Sequence, residues 1–106
     1  MNNNIIRWGV IGLGKMANAF AHSISECNNA KLLSCASNTQ KKLIDFSKNF
    51  KISKKLFFNN YDELIANKNV DAVYISTLNN THFEIILKCI KNKKNVLCEK
   101  PMTLNY

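Results

Sequence analysis

All the glycines of this chain, Gly9, Gly12 and Gly14, fall within six consecutive residues. At average usage a chain of 106 residues would carry about seven, scattered. They stand in the stretch Ile5-Ile6-Arg7-Trp8-Gly9-Val10-Ile11-Gly12-Leu13-Gly14-Lys15-Met16-Ala17. An apolar run leads into Gly-x-Gly-x-x-Ala, and a helix-like stretch follows. That order suits the capture of a pyrophosphate. Gly12 would allow a tight turn, and Gly14 would let backbone N–H groups approach the anion with no Cβ in the way. Ala17 would let the helix lie close to the strand. The helix N-terminus, with Lys15 and Met16 in its first turn, adds about half a positive charge and unpaired N–H donors. On these residues alone two alternatives stay open: a strand-to-helix turn with no ligand, or one that holds another adenine-containing cofactor, as in methyltransferases.

A dinucleotide turn of this kind is read further where the second apolar run ends. An Asp or Glu there would bind the adenosine 2′-hydroxyl of NAD, whereas an Arg would accept the 2′-phosphate of NADP. The residues present are Ser37-Asn38-Thr39-Gln40-Lys41-Lys42. None is acidic. Ser37, Asn38 and Thr39 can hydrogen-bond to a phosphate, and Lys41 or Lys42 can supply charge. The cofactor reads as NADP or NAD, with NADP favoured.

The elements that must carry these residues alternate in type. Apolar runs at residues 5–11, 31–37, 56–58, 70–77 and 95–99 predict strands. Between them, residues 15–27, a segment from Thr39 to Phe50, residues 61–65 and residues 81–93 predict helices. In the first helix Met16, Phe20 and Ile24 recur every fourth residue, with Ala17 and Ala21 beside them. Thr39 is the expected N-cap of the second. In the last, Phe83, Ile86, Leu87 and Ile90 are expected on one buried face. Strands separated by helices imply right-handed crossovers and a parallel sheet. The expected fold class is therefore α/β: a doubly wound parallel sheet, the Rossmann fold, in strand order 3-2-1-4-5, as a single domain over residues 1–106. Its ligand crevice lies at the carboxyl ends of strands 1 and 4.

Composition removes several other classes. No apolar run approaches the ~20 residues of a membrane span, and Met1-Asn2-Asn3-Asn4 lacks the basic and apolar regions of a signal peptide. The expectation is a soluble, cytoplasmic protein. The four cysteines, Cys27, Cys35, Cys89 and Cys98, form no Cys-x-x-Cys and are expected to be small buried thiols. No metal site is expected. The net charge of +8 comes chiefly from lysines in a chain rich in Asn, Lys and Ile. With little aromatic interleaving it reads as a solvated face rather than a specific nucleic-acid surface. His22 reads as a surface or packing residue.

Two later stretches give the resemblance. The first runs Asp71-Ala72-Val73-Tyr74-Ile75-Ser76-Thr77-Leu78-Asn79-Asn80-Thr81-His82. The second, Asn95-Val96-Leu97-Cys98-Glu99-Lys100-Pro101-Met102, ends a strand in Glu-Lys-Pro and holds the only proline. Gly-x-Gly-x-x-Ala, Thr-x-Asn-x-x-His and Glu-Lys-Pro in this order resemble the N-terminal NAD(P)-binding domain of the Gfo/Idh/MocA oxidoreductases. The resemblance extends from about Ile5 to Leu104. It implies that Lys100 lies beside the nicotinamide and the reacting substrate carbon as the catalytic residue. There it would orient a substrate hydroxyl and stabilise developing oxygen charge. By the same resemblance Thr77, Asn79 and His82 line the cofactor crevice, Glu99 sits by the nicotinamide ribose or amide, and Pro101 fixes the turn, cis or trans. On the residues alone Glu99 also reads as a polar strand end and His82 as a helix-terminus residue. The family usually has Pro where this chain has Leu78, which implies a less rigid loop.

Family members are much longer than this chain, and a second domain supplies their substrate pocket. The expectation is thus the cofactor-binding domain of an enzyme that moves a hydride between nicotinamide and a secondary alcohol of a sugar, cyclitol or related polyol. The substrate domain is expected to be absent, so the chain alone should bind cofactor but turn over poorly. The alternative is a catalytically inactive NAD(P)-binding fragment, or a module that acts with a separate partner chain. Homo-oligomerisation stays open.

Overall fold

Ile6–Ile11 forms β1, which grades from exposed at its start to fully buried over Gly9, Val10 and Ile11. It is the middle strand of the sheet, so both its edges are paired. The structure is a computed structural model, and it describes residues 5–76 and 79–98. After β1 come α1 (Lys15–Ser25), β2 (Ala30–Ala36), α2 (Gln40–Asn49), a 3-10 turn at Lys54–Leu56, β3 (Phe57–Phe58) and α3 (Tyr61–Ala66). The chain continues with β4 (Ala72–Ile75), α4 (Asn79–Lys91) and β5 (Asn95–Cys98). The sheet has the order β3-β2-β1-β4-β5, and every pairing is parallel. The doubly wound α/β order expected from the sequence is the one observed.

Alternation along the strands divides the core into two layers. Val10, Cys35 and Tyr74 face Ala17, Ala21, Leu43 and Phe46 of α1 and α2. Ile11, Ala36, Val73 and Ile75 face Leu64, Ile65, Ile85 and Cys89 of α3 and α4. Each fully buried Val, Leu or Ile contributes roughly 1.5–3 kcal/mol of transfer free energy. Between Trp8 and Gly9 the β1–β2 register shifts by one residue. Gly9 lies there because α3 comes very close: a Cβ at Gly9 would stand 2.7 Å from Leu64 Cδ2 and 3.2 Å from Val70 Cγ1. Near the start of β1, Arg7 Nε and Nη2 donate to the Asp71 carboxylate, and Arg7 N donates to the same group at 2.8 Å. This clamps the start of β1 to the segment entering β4.

Several expectations about faces and ends need correction. On α1 the buried residues are Ala17, Ala21 and Ile24, while Met16 is 51% exposed. The stripe is centred on the alanines, which is what allows the helix to lie close to the sheet. On α4 the core side is Ile85 and Cys89, with Ile86 packed against it, and Leu87 and Ile90 are exposed. The buried face is thus turned from the expected one. The helix starts at Asn79, before the expected Thr81, and ends at Lys91. Lys93 has φ 59°, a left-handed conformation that stops it. β4 ends at Ile75 and α1 at Ser25, each two residues early. Cys35 and Cys89 are buried as expected, but Cys27 is exposed. His22 is an exposed residue whose ring sets edge-on to Phe50 at 5.3 Å.

Candidate dinucleotide site

The strand order reverses at β1, with β2 on one side and β4 on the other. In open α/β sheets that switch point opens a crevice at the carboxyl ends of the strands. The turn from Ile11 to Lys15 stands at this end. Gly12 has φ 85°, a conformation that favours glycine. Its N–H donates to Ala36 O at 3.3 Å, which ties the turn to the end of β2. Leu13 points into the core. Gly14 is the N-cap of α1 in an extended conformation, and no side chain caps the helix. Nor is there an acid in its first turn. Among the described residues, then, no side chain caps α1 and no acid stands in its first turn.

Gly14 differs from Gly9 in what surrounds it. A Cβ built at Gly14 meets nothing within 4 Å. Its φ of −96° is also open to any residue. Neither packing nor backbone strain among the described residues calls for glycine there; a Cβ would enter open space at the helix N-cap. The open cradle and the bare N–H groups fit an anionic pyrophosphate. Ala17 is fully buried, as close helix packing requires. Lys15 and Met16 are exposed at the mouth. Met16 opens a groove of about 250 Å³ that runs along α1 past Phe20 and Ser23, floored by Tyr74 and Leu97.

A second cluster sits at the end of β2. Ser37 is buried, its N–H donating to Phe58 O at 3.1 Å. Its hydroxyl oxygen accepts from Thr39 N at 3.1 Å. Thr39 is the N-cap of α2 by position, but its own side chain makes no cap bond. Asn38 is exposed and its Nδ2 donates to the Tyr61 hydroxyl at 3.4 Å. Burial pushes the Tyr61 phenol up from its ordinary value. Lys41 and Lys42 are exposed in the first turn of α2, which holds no acid.

The structure thus gathers Gly12, Gly14, Lys15 and Met16 at the end of β1 and sets Ser37 and Asn38 at the end of neighbouring β2. Asn79 and His82 lie on the first turns of α4, with side chains outside the described residues. Thr77, Leu78, Glu99, Lys100 and Pro101 also lie outside the described residues. Reading the sequence missed Asn18 and Ser76. Asn18 lies four residues beyond Gly14, one helical turn on, and its Nδ2 donates to Gly14 O at 2.9 Å. Ser76 follows β4, and its Oγ donates to Gly12 O at 2.9 Å. Among the described residues no group of three or more His, Cys, Asp or Glu could hold a metal ion. No described helix is long and apolar enough to cross a membrane.

Comparison with known proteins decides the family. Residues 6–106 match the family model GFO_IDH_MocA, described as the oxidoreductase family with an NAD-binding Rossmann fold. The chain belongs to the Gfo/Idh/MocA oxidoreductases. It is 35% identical over 100 residues to a myo-inositol 2-dehydrogenase of Thermotoga maritima, covering 94% of this chain and 29% of that one. Apo scyllo-inositol dehydrogenase from Lactobacillus casei superposes with a TM-score of 0.88 at 26% identity, over 99% of this chain and 31% of that one. The same enzyme with bound NAD(H) and scyllo-inositol gives 0.84 at 26% identity, over 95% and 29%. A biliverdin reductase from Synechocystis, in complex with biliverdin and NADP+, gives 0.84 at 25% identity, over 93% and 30%. The chain therefore spans about 30% of the length of the relatives it matches. It carries the family's nicotinamide-binding domain.

Proposed function

We propose that this domain binds a nicotinamide dinucleotide, NADP in preference to NAD, as the cofactor half of an oxidoreductase acting on a secondary alcohol of a sugar, cyclitol or related polyol. The observation that carries the reading is the uncapped N-terminus of α1 with open space before Gly14. Gly12, Gly14 and the first amides of α1 hold the pyrophosphate, with Lys15 and Met16 at the mouth. Ser37, Asn38 and Thr39 hydrogen-bond at the adenosine 2′ position, where Lys41 and Lys42 add positive charge. No acid stands there to repel a phosphate, and this supports NADP.

The bound nicotinamide supplies a hydride acceptor and donor. The chain's own residues hold, orient and polarise. By family resemblance Thr77, Asn79 and His82 line the crevice beyond β4, Glu99 approaches the nicotinamide ribose or amide, and Pro101 sets the turn after β5. Lys100 donates to the substrate oxygen, orienting the hydroxyl and lowering the cost of the negative charge that develops there. Hydride transfer also needs the two carbons held at near-attack distance. The substrate class rests on relatives that act on inositols.

The test is a titration of the purified chain with NADH and NADPH, followed by nicotinamide fluorescence. The expected result is saturable binding to both, tighter for NADPH, with that preference lost in Lys41→Ala/Lys42→Ala. Binding of NADH tenfold tighter than NADPH would overturn the NADP assignment. Binding of neither would overturn the dinucleotide reading.

A further inference from the structure

The pyrophosphate cradle can work only if its peptide groups are turned the right way before the ligand arrives. A trans peptide is planar, so the carbonyl of one residue and the N–H of the next point in opposite directions. Fixing the Gly12 carbonyl therefore fixes where Leu13 N–H points, and fixing the Gly14 carbonyl does the same for Lys15 N–H. Both carbonyls are held by side chains. Ser76 Oγ donates to Gly12 O at 2.9 Å, from a residue 64 positions away in the chain. Asn18 Nδ2 donates to Gly14 O at 2.9 Å, beside the helical bond from Asn18 N at 3.1 Å.

We propose that Ser76 is a positioning residue for the dinucleotide: its hydroxyl locks the Gly12–Leu13 peptide with the carbonyl toward β4 and the N–H away from it. Asn18 does the same for Gly14–Lys15. This rests on the reading of the turn as a pyrophosphate site. Three features of the geometry support it. Gly12 has φ 85°; glycine has many accessible conformations there, so without an external tie this peptide is the one most free to flip. Ser76 is itself held rigidly, since its own N–H donates to Ile11 O at 2.9 Å. The side-chain bond thus runs from a fixed strand end to a soft turn. Ser76 also directly follows β4, so the bond ties the end of that strand to the turn after β1.

The role predicts a binding defect without a folding defect. In Ser76→Ala the fold should persist, because Gly12 is only half-buried and water can take the place of the lost donor. The turn then samples orientations that present no N–H to the anion. Losing one pre-set hydrogen bond should raise the Kd for NADPH about fivefold. Ser76→Thr retains the hydroxyl and should restore Kd to within about twofold of wild type. The experiment is an NADPH titration of wild type, Ser76→Ala, Ser76→Thr and Asn18→Ala. Amide hydrogen exchange at Leu13 and Lys15 is measured alongside, without ligand. Faster exchange at Leu13 in Ser76→Ala and at Lys15 in Asn18→Ala, with weakened binding and rescue by Thr, supports the role. An Ala variant that binds like wild type overturns it, as does weakened binding that accompanies loss of the global circular dichroism signal. If wild type binds neither NADPH nor NADH, the dinucleotide reading itself falls and takes this role with it; a tight wild type with an unaffected Ser76→Ala sinks this role alone.

Discussion

Gly9 and Gly14 are five residues apart in one glycine cluster, yet the structure gives them opposite reasons to be glycine. Replacing each with alanine separates those reasons. At Gly9 the new methyl would stand 2.7 Å from Leu64 Cδ2 and 3.2 Å from both Leu64 Cγ and Val70 Cγ1. Leu64 and Val70 are buried at 0% and 2% exposure, so neither can swing into solvent. Overpacking of this kind costs about 1–3 kcal/mol. At about 4–8 °C per kcal/mol for a domain of this size, Gly9→Ala should lower Tm by roughly 5–20 °C. At Gly14 the methyl meets nothing within 4 Å, and φ −96° is unstrained. Alanine is a poorer N-cap than glycine by a few tenths to about 1 kcal/mol. A reduced unfolded-state entropy offsets this by about 0.4–1 kcal/mol. Stability should therefore stay within about 1 kcal/mol of wild type. Cofactor affinity should fall instead, since the methyl projects into the space before the helix N-terminus, and the bulkier Gly14→Val should abolish binding. Thermal melts and NADPH titrations of both variants supply the assay. Gly14→Ala that melts far below wild type, or that binds NADPH as tightly as wild type, would refute the reasoning. So would Gly9→Ala with an unchanged Tm.

Two further predictions concern groups away from the site. The Asp71 carboxyl is held below its ordinary value, chiefly by the side-chain hydrogen bond from Arg7, with Lys94 adding to the effect. A depressed carboxyl contributes stability that is present above its unfolded value, near 3.9, and lost as pH falls through the folded value. Asp71→Asn should therefore melt below wild type at neutral pH, with the gap closing from about pH 5 downward. Because both partners are more than a third exposed, salt should also narrow the gap; a gap that widens in acid would contradict the assignment. For the cysteines, burial pushes the Cys35 thiol up to about 12. At pH 8 only about one part in ten thousand is then thiolate. Iodoacetamide should label exposed Cys27 in the native protein and reach Cys35 only after denaturant, as read by peptide mass mapping. Equal rates at the two positions would count against the buried placement of Cys35.

What was legible in the sequence was whatever period and local chemistry encode. The alternation of strand-like and helix-like runs gave the β3-β2-β1-β4-β5 order, because right-handed crossovers leave few other arrangements once the glycine turn marks the first strand. The residues at the ends of β1 and β2 followed from it. Faces were harder. Of the expected stripe Met16, Phe20 and Ile24, Ile24 is buried and Phe20 stacks on Tyr74 of the sheet, but Met16 is exposed; a hydropathy pattern weights large residues, whereas Ala17 and Ala21 are the fully buried ones. On α4 the same weighting favoured Leu87 and Ile90 over Cys89, the smaller residue that is buried.

The residues that hold the turn in shape were not legible at all, and the reason is physical. Asn18 and Ser76 act on backbone carbonyls, which are present at every residue and leave no mark on sequence. Ser76 finds its acceptor 64 residues away only because β4 pairs with β1 in the register that sets Ile75 against Ile11. Gly9 and Gly14 make the same point from the other side. One letter, five residues apart, stands for two demands, one set by Leu64 inside the protein and one by open space at Gly14. Only the position of neighbouring atoms tells them apart. A motif thus shows where backbone donors and a ligand can meet; the contacts from strands distant in sequence determine whether those donors are aimed.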